Sequence, residues 1–170
     1  KSGVKEEQIF LVGNTMIDTL FKQRPNFKKP AVWDELGLKE KEYIVMTLHR
    51  PANVDESEKL KDLMSEIVEH SQDVPLVFPV HPRTAKILEG LGISHPRLHM
   101  IAPLSYLEFN YLVERAKAVV TLDLMQKAKF IDIKSTMEKL FSGAGKQGQE
   151  IPMWDGKCAE RIVEVLLKLQ

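Results

Sequence analysis

The stretch YIVMTLHRPAN, residues 43–53, decides the fold class of this chain. Its first six residues, YIVMTL (43–48), are short, apolar and partly β-branched, which is typical of a buried strand. A histidine, an arginine and a proline follow, and SEKLKDLMSEIVEH (57–70) then repeats apolar residues at helical spacing. A buried strand that turns into an amphipathic helix indicates one unit of an α/β protein.

The same alternation of strands and helices continues along most of the chain. Apolar runs predict further strands at 9–12 (IFLV), 75–80 (PLVFPV), 97–101 (RLHMI) and 118–122 (AVVTL), with helices between them. Near-continuous apolar strands separated by helices indicate a parallel sheet that is covered by helices on both faces. We therefore predict a single Rossmann-like α/β domain over residues 1–170.

The last predicted helix lies in DGKCAERIVEVLLKLQ, residues 155–170. Asp155 is predicted to be its N-cap, because a short polar side chain there can accept a hydrogen bond from the first helical turn. Four apolar residues at helical spacing predict a buried stripe along this helix. They are Ile162, Val165, Leu166 and Leu169.

Composition excludes several classes of partner. The 24 basic and 24 acidic residues cancel, so no net field attracts the chain to nucleic acid or to a membrane surface. No apolar run approaches the roughly 20 residues that a membrane-spanning helix needs. Cys158 is the one cysteine of the sequence and cannot form an internal disulfide, which suits a reducing cytoplasm.

Two predicted strand ends carry a histidine and an arginine. His49 and Arg50 follow the strand at 43–48, and His81 and Arg83 follow the strand at 75–80. In parallel sheets, ligands bind at the carboxyl ends of strands, and Arg and His can both donate hydrogen bonds to phosphate oxygens. The alternative is that each histidine side chain only forms a hydrogen bond within its own loop, while each arginine side chain is exposed to solvent. Two such ends on one edge favour the functional interpretation.

Weaker candidates lie at other predicted strand ends. Tyr106 and Phe109 share one helix face, where an aromatic ring could contact a nucleotide base, although aromatics at this spacing are more often core residues. Asn14 and Thr15 follow the first predicted strand and serve equally well as a helix cap. The remaining histidines show no metal-ligand spacing, so no metal site is predicted.

Five motifs, taken together and in order, resemble one known family. They are VGNTMIDTL, TLHRPANVD, VFPVHPRT, APLSYLEFNYLVERAKAVVT and IPMWDGKCAERIVEVLLKL. In this order they are similar to the C-terminal half of the non-hydrolysing UDP-N-acetylglucosamine 2-epimerases. That family has two Rossmann-like domains of the GT-B type, with the active site in the cleft between them. The resemblance covers residues 1 to about 121 and about 135 to 170.

The resemblance implies an isomerase that interconverts UDP-N-acetylglucosamine and UDP-N-acetylmannosamine by eliminating UDP and adding it back. It implies a UDP-sugar substrate, no cofactor, and a homodimer as a common assembly. His49 matches the position of an active-site histidine that serves the leaving UDP. Arg50, His81 and Arg83 match substrate-binding positions or their neighbours, and Phe109 matches the aromatic residue of the uracil pocket.

The sequence departs from this family pattern in two places. A segment is missing near 122–134, where the family continues with a Ser-Gly-Gly turn that binds phosphate, and the family's N-terminal domain has no counterpart. This chain alone is therefore expected to be inactive. One alternative is a non-catalytic Rossmann-like module for nucleotide binding or assembly. The others are a GT-B glycosyltransferase and the hydrolysing epimerase. HRPAN (49–53) and PVHPRT (79–84) favour the epimerase branch over the glycosyltransferase and do not separate hydrolysing from non-hydrolysing epimerases.

Overall fold

The computed structural model describes residues 3–47, 57–121, 133–144 and 149–169. Its contacts divide the chain into two compact units, of which unit 1 comprises Lys1–Phe27 and Gln147–Gln170 and unit 2 comprises Lys28–Lys146. The single-domain organisation stays a prediction, and the structure of each unit is given separately.

Unit 2 contains a parallel sheet of four strands among its described residues. The strands are β1 (Ile44–Thr47), β2 (Leu76–Pro79), β3 (Leu98–Ile101) and β4 (Ala118–Thr121), and their order in the sheet is β3-β2-β1-β4. All three strand pairs are parallel, which confirms the predicted fold class. Each strand lies within the run that the sequence predicts. The two central strands, β1 and β2, are almost fully buried between layers of helices, whereas β3 and β4 at the edges of the sheet are partly exposed.

Five helices of unit 2 alternate with these strands. They are α2 (Ala31–Glu35), α3 (Ser57–His70), α4 (Pro82–Gly90), α5 (Tyr106–Arg115) and α6 (Ile133–Phe141). In α3, the predicted apolar stripe is confirmed where side chains are described: Met64, Ile67 and Val68 are buried. Ser105 is the N-cap of α5, because its hydroxyl accepts a hydrogen bond from the backbone nitrogen of Glu108.

Two hydrophobic clusters cover the two faces of the sheet. Alternate strand residues enter opposite clusters, since successive side chains of a strand point to opposite faces. Ile44, Met46, Leu76 and Phe78 lie in the larger cluster, with α3, α4 and α6. Tyr43, Val45 and Val77 lie in the smaller cluster, with α2 and α5. Unit 2 therefore has a hydrophobic core on each side of its sheet, and only the edge strand β4 leaves an apolar side chain, Val119, largely exposed among the described strand residues.

Tyr43 lies at the centre of the contacts in the smaller cluster. Its ring is fully buried and meets Trp33 edge-on at 5.6 Å between ring centroids, and its hydroxyl donates a 2.6 Å hydrogen bond to the carbonyl of Leu112. This bond satisfies the one polar group of a buried aromatic side chain. Burial also raises the pKa of the Tyr43 hydroxyl well above its ordinary value, because the phenolate would lose its hydration.

Unit 1 joins the two ends of the chain through two helices, α1 (Thr15–Gln23) and α7 (Cys158–Lys168). The carboxylate of Asp18 in α1 accepts hydrogen bonds from the backbone nitrogens of Cys158 and Ala159, at 3.1 and 2.7 Å. The first backbone N–H groups of a helix have no partner within that helix, so Asp18 caps α7 from another part of the sequence. This contact is one of those that join the two ends of the chain, together with the hydrogen bond from Arg161 to the carbonyl of Val12.

Two predictions for unit 1 are wrong. The run IFLV (9–12) is not a strand: it follows a 3-10 turn at Glu6–Gln8, and Ile9, Phe10 and Leu11 are exposed. A strand requires a neighbouring strand to satisfy its backbone, and no described strand pairs with this run.

The predicted cap of α7 is wrong too, because α7 begins at Cys158, three residues after Asp155. Asp155 instead accepts a hydrogen bond from the backbone nitrogen of Lys157 and forms an ion pair with Arg161. That pairing lowers the pKa of the Asp155 carboxyl below its ordinary value.

The predicted buried stripe of α7 is only partly confirmed. Ile162 and Val165 are half-buried, but Leu166 and Leu169 are 58% and 65% exposed. The periodicity identifies an apolar side of the helix correctly, whereas its burial depends on what packs against it. In the part of the chain that the structure describes, no helix combines the length and apolar character needed to cross a membrane.

Candidate functional site

The carboxyl edge of the unit 2 sheet has the geometry of a ligand site. The chain runs from β1 to β2 and β3 on one side, then returns to place β4 on the other side of β1. Open α/β sheets bind ligands outside the carboxyl ends of the strands at such a reversal of strand order, which here falls between β1 and β4. Thr47 and Thr121 are paired across that point as the last residues of their strands. The candidate site is therefore placed at this edge.

His81 lies on this edge, at the N-cap of α4 immediately beyond β2. Its Nδ1 accepts a long 3.4 Å hydrogen bond from the backbone nitrogen of Arg83. An accepting Nδ1 carries no proton, so the neutral ring that makes this bond carries its proton on Nε2. The imidazole is exposed and fixed by the backbone of its own helix, which leaves Nε2–H as a donor for a ligand at the rim.

Arg83 lies in the first turn of the same helix and is exposed. The backbone N–H groups of a helix N-terminus attract anions, and α4 presents its N-terminus at the carboxyl edge of the sheet. The structure thus brings His81 and Arg83 together on one helix start. This arrangement suits recognition of a phosphate group by an imidazole donor, a guanidinium and a helix dipole.

The N-terminus of α5 lies on the same edge, beyond β3. Ser105 and Glu108 form a reciprocal cap, and the Ser105 hydrogen bonds lower the pKa of the Glu108 carboxyl. Phe109 is half-buried and packs against the smaller hydrophobic cluster, so part of its ring has a structural role. Tyr106 is 49% exposed. The sequence pattern did not distinguish Tyr106 from Phe109, and only the family resemblance singled out Phe109, although Tyr106 at the first position of this helix lies near the rim.

The remaining predicted site residues lie elsewhere. His49 and Arg50 fall outside the described residues, two and three positions beyond Thr47. Asn14 caps α1 in unit 1, where its side chain accepts a 2.9 Å hydrogen bond from the backbone nitrogen of Met16, and Thr15 is the first residue of that helix. The helix-cap alternative therefore accounts for the polar side chain of Asn14.

A cavity of about 400 Å³ opens at the opposite, amino edge of the sheet. Its lining includes Lys39, Lys41 and Lys117, but the lysines have local partners. The Nζ of Lys41 donates to the carbonyls of Glu114 and Ala116 at 3.0 and 3.1 Å, where it caps the carboxyl end of α5. Because it lies away from the strand carboxyl ends, this cavity is not the candidate site. Within the described ranges, no three His, Cys, Asp or Glu residues are grouped as a metal site.

Comparison with known proteins identifies the family. Residues 1–122 match the family model described as UDP-N-acetylglucosamine 2-epimerase. The chain belongs to that family. A UDP-N-acetylglucosamine 2-epimerase homolog from Methanococcus maripaludis is 37% identical over 123 residues, which cover 66% of this chain and 33% of the homolog.

Two comparisons extend over nearly the whole chain. The UDP-N-acetylglucosamine 2-epimerase of Methanocaldococcus jannaschii is 27% identical over 207 aligned positions, covering 98% of this chain and 56% of the relative. The crystal structure of that organism's UDP-GlcNAc 2-epimerase in complex with UDP-GlcNAc and UDP superposes with a TM-score of 0.71 at 26% identity, with the same coverage.

The chain is shorter than these relatives in two respects. It spans about a third to a half of their length, so a large part of each relative lies outside the match. The 207 aligned positions also exceed the 170 residues of this chain, so some positions inside the match have no counterpart here. Both differences agree with the shortened C-terminal domain that the motifs predict.

Proposed function

We propose that this chain forms one wall of the site in which a UDP-N-acetylglucosamine 2-epimerase interconverts UDP-N-acetylglucosamine and UDP-N-acetylmannosamine. The observation that carries the proposal is the start of α4, where His81 and Arg83 lie together at the carboxyl edge of the sheet. Family membership supports a UDP-sugar as the ligand, and so does the M. jannaschii crystal structure, which is a complex with UDP-GlcNAc and UDP.

The chemistry explains why donors are needed at this edge. When UDP leaves the sugar, negative charge grows on its departing phosphate oxygen, and hydrogen-bond donors aimed at that oxygen stabilise the transition state. We assign this role to His49 as a general acid, while Arg50, His81 and Arg83 bind the diphosphate. Phe109 contacts the uracil, with Asn14 and Thr15 as weaker binding candidates. Elimination and re-addition of UDP require no nicotinamide and no metal.

This chain alone is expected to bind without turning over substrate. The segment that carries the family's Ser-Gly-Gly turn is missing, so no glycine-rich turn is left there to hold phosphate at a helix N-terminus. The carboxylates that the family uses to move the C2 proton belong to its N-terminal domain. A coupled epimerase assay of the 170-residue chain should therefore show no turnover. A homodimer and a cytoplasmic location remain predictions from the resemblance and the composition.

Ligand-observed NMR tests the binding function directly. UDP at millimolar concentration should give a saturable saturation-transfer signal on its uracil protons, while UDP should raise the melting temperature only slightly. Two variants preserve the start of α4: His81→Asn keeps a good N-cap, and Arg83→Gln keeps a good helix former. Each should weaken UDP binding by about tenfold, the size expected for a lost charge-assisted hydrogen bond.

The controls separate this site from nonspecific binding. Lys39→Ala removes a cation at the amino edge and should leave the UDP signal unchanged. ADP should give a weaker signal than UDP, because the purine does not fit a uracil pocket. Equal signals from ADP and UDP, or signals unaffected by both α4 variants, would contradict the proposal.

A further inference from the structure

Two helices begin at the carboxyl edge of the unit 2 sheet, and their first turns differ in charge. Helix α4 follows β2, carries His81 and Arg83 at its start, and has no acidic residue in its first turn. Helix α5 follows β3 and carries Glu108 in its first turn. A carboxylate at a helix start repels phosphate from that place, whereas the start of α4 attracts it. The edge therefore has one end suited to an anion and another suited to a neutral group that donates hydrogen bonds.

The carboxylate of Glu108 is held in one orientation by Ser105. Its Oε2 accepts hydrogen bonds from the hydroxyl and the backbone nitrogen of Ser105, at 2.6 and 3.1 Å. These two bonds, of which the hydroxyl bond has the larger effect, lower the pKa of the Glu108 carboxyl, so the group is ionised at neutral pH. Its Oε1 accepts no hydrogen bond from any residue that the structure describes. Glu108 thus offers a fixed acceptor at the rim.

Lys28 brings a donor to the same helix start. It is the first residue of unit 2, and its backbone nitrogen donates a 3.4 Å hydrogen bond to the carbonyl of Leu107 in α5. Its side chain is exposed, and its positive charge is close enough to Glu108 to contribute to the lowered pKa of that carboxyl. The neighbouring Lys29 is engaged elsewhere, since its Nζ forms a 2.6 Å ion pair with Asp34. Lys28 and Glu108 therefore present a donor and an acceptor close together.

Phe109 adds an aromatic surface beside this pair. It follows Glu108 in α5, and its half-buried ring packs against the smaller cluster with one part and is accessible with the other. Nucleotide bases stack on aromatic side chains and are distinguished by hydrogen bonds to their edges. A ring, a fixed acceptor and a donor together are therefore suited to select one base.

The hydrogen-bonding edge of uracil matches this pair of charges. Uracil has a donor, N3–H, between two carbonyl oxygens, whereas cytosine has an accepting N3 beside an amino group that donates. A carboxylate can accept only, and an ammonium can donate only. In the position where uracil satisfies both groups, cytosine would set an acceptor against the carboxylate and a donor against the ammonium. Because the diphosphate is bound separately at α4, cytosine could regain both bonds only by shifting the base out of that position.

We propose that Glu108 and Lys28 select uracil as the base of the ligand. The Oε1 of Glu108 accepts a hydrogen bond from uracil N3–H, and the Nζ of Lys28 donates one to the adjacent carbonyl oxygen, O4. This inference rests on the proposed function, in which α4 binds the diphosphate, and it adds the residues that determine base specificity.

The test compares the affinities of UDP and CDP for the 170-residue chain by ligand-observed NMR titration. Wild type should bind UDP about tenfold more tightly than CDP, because a polar mismatch leaves charged groups unpaired. Glu108→Gln keeps the reciprocal cap, since glutamine also serves at this position. Its amide oxygen then accepts from Ser105, so its amide nitrogen faces the base as a donor. This variant should bind UDP more weakly and CDP more tightly, which brings the two affinities to about equal or reverses their order.

Two lysine variants supply a matched comparison. Lys28→Met removes the ammonium, keeps an apolar stem, and should lower the preference for UDP by about threefold. The ratio of the two affinities is the readout, because the loss of a positive charge weakens the binding of both diphosphates alike. Lys29→Met removes the neighbouring charge, which is paired with Asp34, and should leave the ratio unchanged.

The outcomes separate this inference from the proposed function. Equal affinities of wild type for UDP and CDP, both weakened by the α4 variants, would overturn the inference and leave the proposed function in place. An undiminished preference for UDP in both Glu108→Gln and Lys28→Met would also overturn it, since other groups would then select the base. A wild-type chain that binds neither nucleotide would overturn the proposed function, and this inference with it.

Discussion

Helices α3 and α7 have comparable amphipathic patterns, but the apolar side is buried in α3 and largely exposed in α7. In α3 of unit 2, Met64 and Ile67 are 0% and 1% exposed, while in α7 of unit 1, Leu166 and Leu167 are 58% and 65% exposed. The difference lies in the partners: α3 packs against the sheet and α6, whereas the exposed apolar side of α7 has no described partner. Periodicity therefore locates the apolar side of a helix and leaves open which surface covers it.

The largest difference in stability is expected between a truncated core side chain in unit 2 and a truncated surface side chain in unit 1. Phe78 is 1% exposed in the larger cluster of unit 2, so Phe78→Ala should lower the free energy of unfolding by about 3–5 kcal/mol. Leu167→Ala in unit 1 should change it by less than about 0.5 kcal/mol, the usual effect of an exposed substitution. Urea unfolding of both variants measures the difference. A large loss for Leu167→Ala would mean that its side chain is covered in solution.

A middle-sized effect is expected at Tyr43. Tyr43→Phe removes the hydrogen bond to the Leu112 carbonyl and leaves that oxygen unsatisfied, which should cost about 1–3 kcal/mol at neutral pH. Because the pKa of Tyr43 is raised in the folded protein, its stabilising contribution is complete below the ordinary tyrosine pKa of about 10. Above that pH the unfolded chain releases the proton first, so the free energy of unfolding falls as pH rises.

Chemical denaturation of wild type and Tyr43→Phe from pH 8 to pH 11 tests the sign. The difference between the two proteins should shrink above about pH 10, where the unfolded tyrosine ionises. A difference that stays constant across this range would show that Tyr43 ionises equally in both states. Trp33, which meets the same ring, provides the fluorescence signal from unit 2.

The smallest effect should be confined to unit 1. Asp18→Ala removes the cap of α7 and should destabilise unit 1 by about 1 kcal/mol, the usual size of an N-cap loss. Thr19→Ala is the matched control, since Thr19 is the exposed neighbour of Asp18 in the same helix. Circular dichroism melting compares the two variants. An equal effect of both would show that the contact between α1 and α7 contributes nothing to the stability of unit 1.

Sequence patterns predicted the strands of unit 2 well because the residues that determine each strand and its neighbouring helix are close together in the sequence. The runs at 43–48, 75–80, 97–101 and 118–122 each contain a strand, since they are apolar on both sides and lie next to helices in the chain. The cap of α5 at Ser105 was also predictable, because a capping box is a local signal that spans four residues. In these places the residues that decide the structure are close in sequence.

Unit 1 was harder to predict because its structure depends on distant residues. The run IFLV (9–12) has strand composition, but pairing is a property of two segments, and no described strand lies beside it. Asp155 resembled the cap of α7, while the actual cap, Asp18, lies 140 residues from Cys158 in the sequence. No local pattern reports a contact of that separation.

Some residues of the candidate site could also be predicted from local sequence, and others could not. The order of strands and helices predicts that His81 and Arg83 lie at the carboxyl edge, and the structure places them there. The role of Phe109 was less predictable, because an aromatic residue on a helix can face a cluster and a ligand at once, and its packing against the smaller cluster follows from tertiary structure. His49 and Arg50 stay predictions, since they lie outside the described residues.

One measurement tests the contrast between the units most directly. The two tryptophans report on different units: Trp33 packs in unit 2, and Trp154 is 42% exposed in unit 1. Urea unfolding followed by fluorescence in Trp33→Phe and in Trp154→Phe therefore isolates each signal. The Trp154 signal should change at a lower urea concentration than the Trp33 signal. Coincident transitions with the same midpoint would contradict this account, because the two units would then unfold together in one cooperative step.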